Sequence, residues 1–133
     1  MRNEQLLALC KEALENLAND CPGLQLATIA TRDGFELVSV SKGVQTAKIA
    51  VMSGTMHALG DSIVTESHLR TCHNVIIEAE AGKVVILAVP ELQEHLVLTG
   101  VAGTGTNLGM LLRQCKNCCE EIASRALGRG VTM

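Results

Sequence analysis

The stretch LQLATIATRDGFELVSVS, Leu24 to Ser41, constrains the fold more than any other part of the chain. Two runs rich in β-branched and aliphatic residues flank Arg32-Asp33-Gly34, and Asp-Gly supplies the positive φ that a hairpin turn needs. An antiparallel pair is therefore expected early in the chain. Ahead of it, Leu6, Leu7, Cys10, Ala13, Leu14 and Leu17 recur at three- and four-residue steps, which predicts a helix over 4–18. Asn3 is its expected N-cap, and Cys21-Pro22-Gly23 stops it.

Helical periodicity returns from about Val44 to Ser67 and carries two apolar stripes. Ile49, Met52, Met56, Leu59 and Ile63 form one; Ala47, Val51, Gly54 and Ala58 form a second, of small residues, on another side. A helix apolar on two sides is covered on two sides. The larger stripe is expected on the chain's own sheet. The small-residue stripe would let a second helix approach closely, either from another copy of the chain or from within the same subunit. Further on, NVIIEAEAGKVVILAVPE and HLVLTGVAG predict strands over about 71–80, 84–89 and 95–102, the first two joined by a turn at Ala81-Gly82-Lys83. A last helix is expected over 107–127, with Thr106 or Asn107 as N-cap and Gly128 as its C′ residue. The order αββαβββα gives an α+β fold, a five-stranded, mainly antiparallel sheet with helices on its faces. With 133 residues the chain is read as one domain, 1–133, with its core at about 5–126.

Composition narrows the function. Charged residues make up 19% of the chain and the net charge is -3, so nucleic acid is not an expected partner. Phe35 is the one aromatic residue, which removes the stacking platforms that single-stranded nucleic acid requires. The N-terminal region has no uninterrupted apolar run of signal or membrane-span length, so a cytoplasmic protein without membrane insertion is expected. In that compartment thiols stay reduced, and the six cysteines are small hydrophobes, metal ligands or reactive groups before they are a disulfide framework.

No enzyme signature emerges. GVAGTGTNLG, at 100–109, matches neither GxxxxGK[ST] nor GxGxxG and reads as a tightly packed helix entry. His57, His68, His73 and His95 have no metal-ligand spacing and are expected at surface or edge positions. Ser39, Ser41 and Ser53 lack a nucleophile elbow. No catalytic residue, cofactor or metal ligand is therefore assigned. Cys115, Cys118 and Cys119 continue the stripe of Leu108, Leu111 and Leu112, as Cys10 does in the first helix, so they read as core. A thiol-based or metal-based sensor using Cys115, Cys118 and Cys119 is the alternative.

Three features together resemble the roadblock family: ATIATRDGFELVS after the first helix, the long second helix, and VLTGVAGTGTNLGMLLRQC with its Asn107-Leu108-Gly109 and Arg113. The resemblance covers about residues 5–126. It implies that the first and last helices lie on one face of the sheet and the second on the other. It also implies pairing of two copies through the second helix and third strand, with Cys72, Asn74 and Ile76 joining Ala47, Val51, Gly54 and Ala58 at the dimer interface. The implied function is that of a non-enzymatic regulator or scaffold for a Ras-like small GTPase, of which MglB-type members stimulate hydrolysis without inserting an arginine. The paired second helices would present Thr46, Ser53, His57 and Asp61 to that partner. Bacterial members also occur beside kinases, so an adaptor in a kinase signalling cluster is a further alternative.

Overall fold

The computed structural model describes residues 4–43, 45–90, 92 and 95–128. Within them the elements follow the expected order: α1 (Glu4–Asp20), β1 (Leu24–Thr31), β2 (Glu36–Ser41), α2 (Thr46–Glu66), β3 (Asn74–Ala79), β4 (Gly82–Ala88), β5 (Leu96–Gly103) and α3 (Leu108–Gly128). The Asn3 cap lies outside the described residues. β3 begins at Asn74, three residues later than the sequence suggests, and its turn to β4 is Glu80-Ala81, with Gly82 already in β4. Gly128 is the last helical residue of α3 and does not take the positive φ of a C′ glycine.

The strands form one sheet in the order β2-β1-β5-β4-β3, antiparallel throughout. The Arg32-Asp33-Gly34 turn is as expected: Gly34 has φ +99°, Thr31 N–H donates to the Phe35 carbonyl at 2.8 Å, and Gly34 N–H donates to the Thr31 carbonyl at 2.9 Å. Register then sorts the side chains. Val85 pairs with Gly100, Leu87 with Leu98, Ala27 with Gly100 and Ile29 with Leu98, so these residues share a face. They form one hydrophobic core with Leu6, Leu14, Leu111 and Ile122, which puts α1 and α3 together on that side. Residues in the alternate positions, Thr28, Ile86, Thr99 and Val101, turn toward α2.

The core is aliphatic and sulfur-lined. Cys10, Cys115, Cys118 and Cys119 are all buried in the cluster between α1, α3 and the sheet. Gly100 makes the room: a Cβ there would sit 2.8 Å from the Cys115 Sγ. On the surface above this seam, Arg125 of α3 bridges Glu12 of α1 at 2.6 Å and Glu121 at 2.9 Å, an exposed network that contributes little. Asn107 caps α3, its Oδ1 accepting from Met110 N–H at 3.1 Å. Of the two cap candidates, Thr106 is instead buried, its Oγ1 filling the place where a Cβ on Gly23 would stand.

On the opposite face α2 makes its closest approach through Gly54. A Cβ at that position would lie 2.4 Å from the Arg32 carbonyl oxygen and 3.6 Å from the Gly34 nitrogen. The helix therefore rests its backbone on the hairpin turn, and Ala50, Ser53, Gly54 and His57 are its buried residues. Neither expected stripe as a whole is the inward one. Gly54 of the small-residue stripe is used inside the chain, and the larger stripe is divided: Ile49 and Met56 are half-buried, while Met52, Leu59 and Ile63 are exposed.

Two substitutions test these close approaches. Gly100→Ala is expected to cost about 1–3 kcal/mol by overpacking against Cys115. Combining it with Cys115→Ala should recover about 1 kcal/mol relative to the sum of the single changes, read from denaturant unfolding. Gly54→Ala is expected to lower stability by about 1–2 kcal/mol, even though alanine returns about 1 kcal/mol of helix propensity. A stabilised Gly54→Ala protein would show that α2 does not rest on the turn.

Candidate interaction surface

α2 begins after Gln45, whose side chain makes no cap hydrogen bond, and ends by turning through His68, a non-glycine residue at φ 58°. Ser67 N–H donates to the Ile63 carbonyl at 3.0 Å and Leu69 N–H to the Val64 carbonyl at 2.9 Å, closing the last turn. Between these ends the helix crosses from the hairpin to β3. At Gly60 a Cβ would come within 2.9 Å of Val75 Cγ2 and 3.1 Å of the Cys72 Sγ. Two glycines thus set its height above the sheet.

Several of the large side chains of α2 are open to solvent. Val51, Met52, Leu59 and Ile63 are 54%, 55%, 52% and 66% exposed. Ile49 and Met56 are half-buried and line, with Met52, Ile77, Val84, Ile86 and Val101, an apolar groove of about 460 Å³ between α2 and the sheet. Beside it runs β3, an outer strand of the sheet, with Ile76 and Ile77 exposed. Ile77, paired with Val84, lies on the side of the helix stripe and the groove, whereas Ile76, paired with Val85, lies on the other side of the sheet. Exposed apolar surface of this kind marks an interaction site.

The residues assigned to a partner-facing surface are mostly turned elsewhere. Ser53 and His57 are each only 4% exposed, because they lie on the side of α2 that Gly54 draws toward the hairpin. The expectation of a surface His57 is corrected with them, whereas His68, His73 and His95 are exposed. Thr46, half-buried, donates its hydroxyl to Glu36 at the start of β2. Asp61, also half-buried, is engaged by the Arg32 guanidinium.

The expected dimer residues divide. Ala47, Val51 and Ala58 are open, Asn74 is half-buried on β3, and Ile76 is exposed. Gly54 is covered by the chain's own turn. Cys72 is buried, with its Sγ 3.6 Å from the Asn74 carbonyl, which accepts its weak hydrogen bond. Sequence periodicity missed the exposure of Met52, Leu59 and Ile63; the available signal was Gly54 itself, since a glycine in mid-helix marks a close backbone approach.

Elsewhere the chemistry is closed. Burial, with neighbouring Cys118 and Cys21 adding to it, pushes the Cys115 thiol up to about 12, and burial with Glu121 and Cys10 does the same for Cys118. Cys119 is pushed up as well, chiefly by burial. These thiols stay protonated at neutral pH, whereas reactive or metal-binding cysteines are thiolates. Among the described residues no three His, Cys, Asp or Glu side chains are grouped as a metal requires. In the 100–109 stretch Lys83 Nζ donates to the carbonyl oxygens of Gly103 at 3.4 Å, Thr104 at 3.5 Å, and Thr106, tying the loop to β4. No described helix is long and apolar enough to cross a membrane.

Neither a family model nor a curated relative matches the chain by sequence. Solved structures do match its fold. Gliding protein MglB from Thermus thermophilus superposes with a TM-score of 0.81 at 17% identity, over 96% of this chain and 95% of that one. MglB from Myxococcus xanthus gives 0.83 at 13% identity, over 100% and 96%. A Roadblock/LC7 domain from Streptomyces avermitilis gives 0.78 at 13% identity, over 88% and 97%. At such identities the fold is what is shared, and the fold of this chain is the roadblock fold of the MglB proteins.

Proposed function

We propose that this chain is a homodimeric, non-enzymatic regulator or scaffold for a Ras-like small GTPase, working in the cytoplasm. One observation carries the reading: in a single chain the large aliphatic stripe of α2 is exposed beside an apolar groove and an open strand edge, in a fold shared with MglB. Exposing several aliphatic side chains on one continuous face costs solubility, and a second copy that covers it removes that cost. In this reading the partner's α2 lies along Met52, Met56 and Ile63. Asn74 and Ile76 of β3 meet their counterparts at the strand edge. Ala47, Val51 and Ala58, on the other flank, stay at the rim.

The GTPase then meets the outer row of the paired helices, where Lys48, Thr55 and Ser62 are exposed between the aliphatic residues. Thr46 and Asp61 contribute at the edges of this surface through the positions that Glu36 and Arg32 hold them in. Regulation, rather than catalysis, is the reading because the clustered thiols are buried and held protonated, and the fold is shared with MglB.

Ile63→Glu tests the pairing without touching the core. Sedimentation of the wild-type protein at micromolar concentration should give a dimer mass. The variant should keep the wild-type circular dichroism and thermal midpoint but dissociate roughly tenfold or more readily, because an unpaired carboxylate would enter the interface. Wild-type protein used as bait in its own cell extract should retain a Ras-like GTPase in a nucleotide-dependent way, and Ile63→Glu should lose it. A monomeric wild type, or a bait that retains no GTPase in either nucleotide state, contradicts the proposal.

A further inference from the structure

Under α2 lies an ionisable group that packing leaves without a partner. The His57 side chain is 5% exposed, and neither Nδ1 nor Nε2 has a hydrogen-bond partner. Its Nδ1 stands 3.9 Å from Asp61 Oδ2, one turn further along the helix, which is too far for a hydrogen bond. That same Oδ2 is held by Arg32 Nη2 from the hairpin turn. The charged groups acting on the ring are therefore Asp61 from its own helix and Arg32 from the hairpin. The sheet side chains buried under α2 here, Thr28 and Thr99, are neutral, and Ser39 beside them bonds both the Thr28 hydroxyl and the Glu36 carboxylate of β2, which also takes the Thr46 hydroxyl.

Arg32 is engaged at both of its ends. Its carbonyl supports Gly54 and its guanidinium holds Asp61, with His57 on the turn between. Two turns of α2, at Gly54 and at Asp61, thus meet one hairpin residue, with His57 between them. We propose that His57, Asp61 and Arg32 form a proton-operated latch, in which protonation of the imidazole draws Asp61 from Arg32 and lifts the middle of α2 off the β1–β2 turn. The step adds one solvent proton to a ring nitrogen and breaks no covalent bond. The imidazolium then carries two N–H donors, one within a small movement of Asp61 and the other with no acceptor. The latch operates in a single chain, whatever α2 meets outside.

Electrostatics set the direction. Burial holds the His57 imidazole below its ordinary value of 6.5; Asp61 works against this and Arg32 adds to it. The unfolded chain takes up a proton near 6.5 and the folded chain at lower pH. The stability contributed by the neutral ring is thus complete above pH 6.5 and is lost as pH falls below it toward the folded-state value. Across that window the folded-to-unfolded ratio should fall by up to about tenfold per pH unit, relative to a variant without the ring.

Nuclear magnetic resonance between pH 8 and pH 5 tests this on the intact chain. The His57 ring should titrate with a midpoint below 6.5, and the backbone amides of residues 50–61 and of Arg32 should shift with the same midpoint. His57→Gln should abolish the shared transition at those amides. Asp61→Asn should move the ring midpoint lower still and silence the response at Arg32. A His57 midpoint at or above 6.5, α2 amides that do not follow the ring, or an unchanged transition in His57→Gln would each overturn the latch.

Discussion

The contact between the backbone of α2 at Gly54 and the carbonyl of Arg32 decides how the rest of the molecule is presented. No side chain larger than a hydrogen fits between them, so the helix comes down on the hairpin turn along Ala50, Ser53, Gly54 and His57. Once that side is inward, geometry at 3.6 residues per turn carries Met52, Leu59 and Ile63 to the outside. The exposed aliphatic face follows from the glycine's position. So does the burial of His57, the one α2 side chain whose ring nitrogens are enclosed without an acceptor.

The two faces of the sheet are built to different standards. Under α1 and α3 it is covered by leucine, isoleucine and cysteine with a continuous core, and thiols there behave as small apolar groups because burial keeps them protonated. Under α2, beside the apolar groove, the part of the seam near the hairpin is polar and incompletely satisfied: Thr99 Oγ1 and both His57 nitrogens lack partners, and Ser39 bonds Thr28 at 2.8 Å. The closed face supplies stability. The other face keeps an open groove beside a helix that comes closest to the chain through Gly54 at Arg32 and Gly60 at Val75 and Cys72.

Much of this was legible in the residues. The Asp33-Gly34 turn, the element order and the cysteines as a continuation of the α3 leucine stripe all follow from periodicity and turn chemistry. The facing of α2 did not. Periodicity finds stripes but does not say which one a sheet will cover, and the large aliphatic stripe meets the sheet only along the groove at Ile49, Met52 and Met56. A third stripe, Ala50, Ser53, Gly54, His57 and Asp61, is small and polar and looks like a solvated face. It is inward because the surface opposite it is a backbone turn, carrying a carbonyl and an arginine. Boundary shifts, such as β3 starting at Asn74, are of the usual size and change no assignment.

In the proposed dimer the exposed aliphatic residues of α2 meet a second copy, while Ala50 and Gly54 meet the chain's own hairpin. Isotope-filtered nuclear Overhauser spectroscopy on a mixture of labelled and unlabelled protein reads this directly. The account predicts intermolecular contacts from the methyl groups of Met52, Met56 and Ile63, and none from Ala50. Intermolecular contacts from Ala50, with Met52 and Ile63 silent, would contradict it.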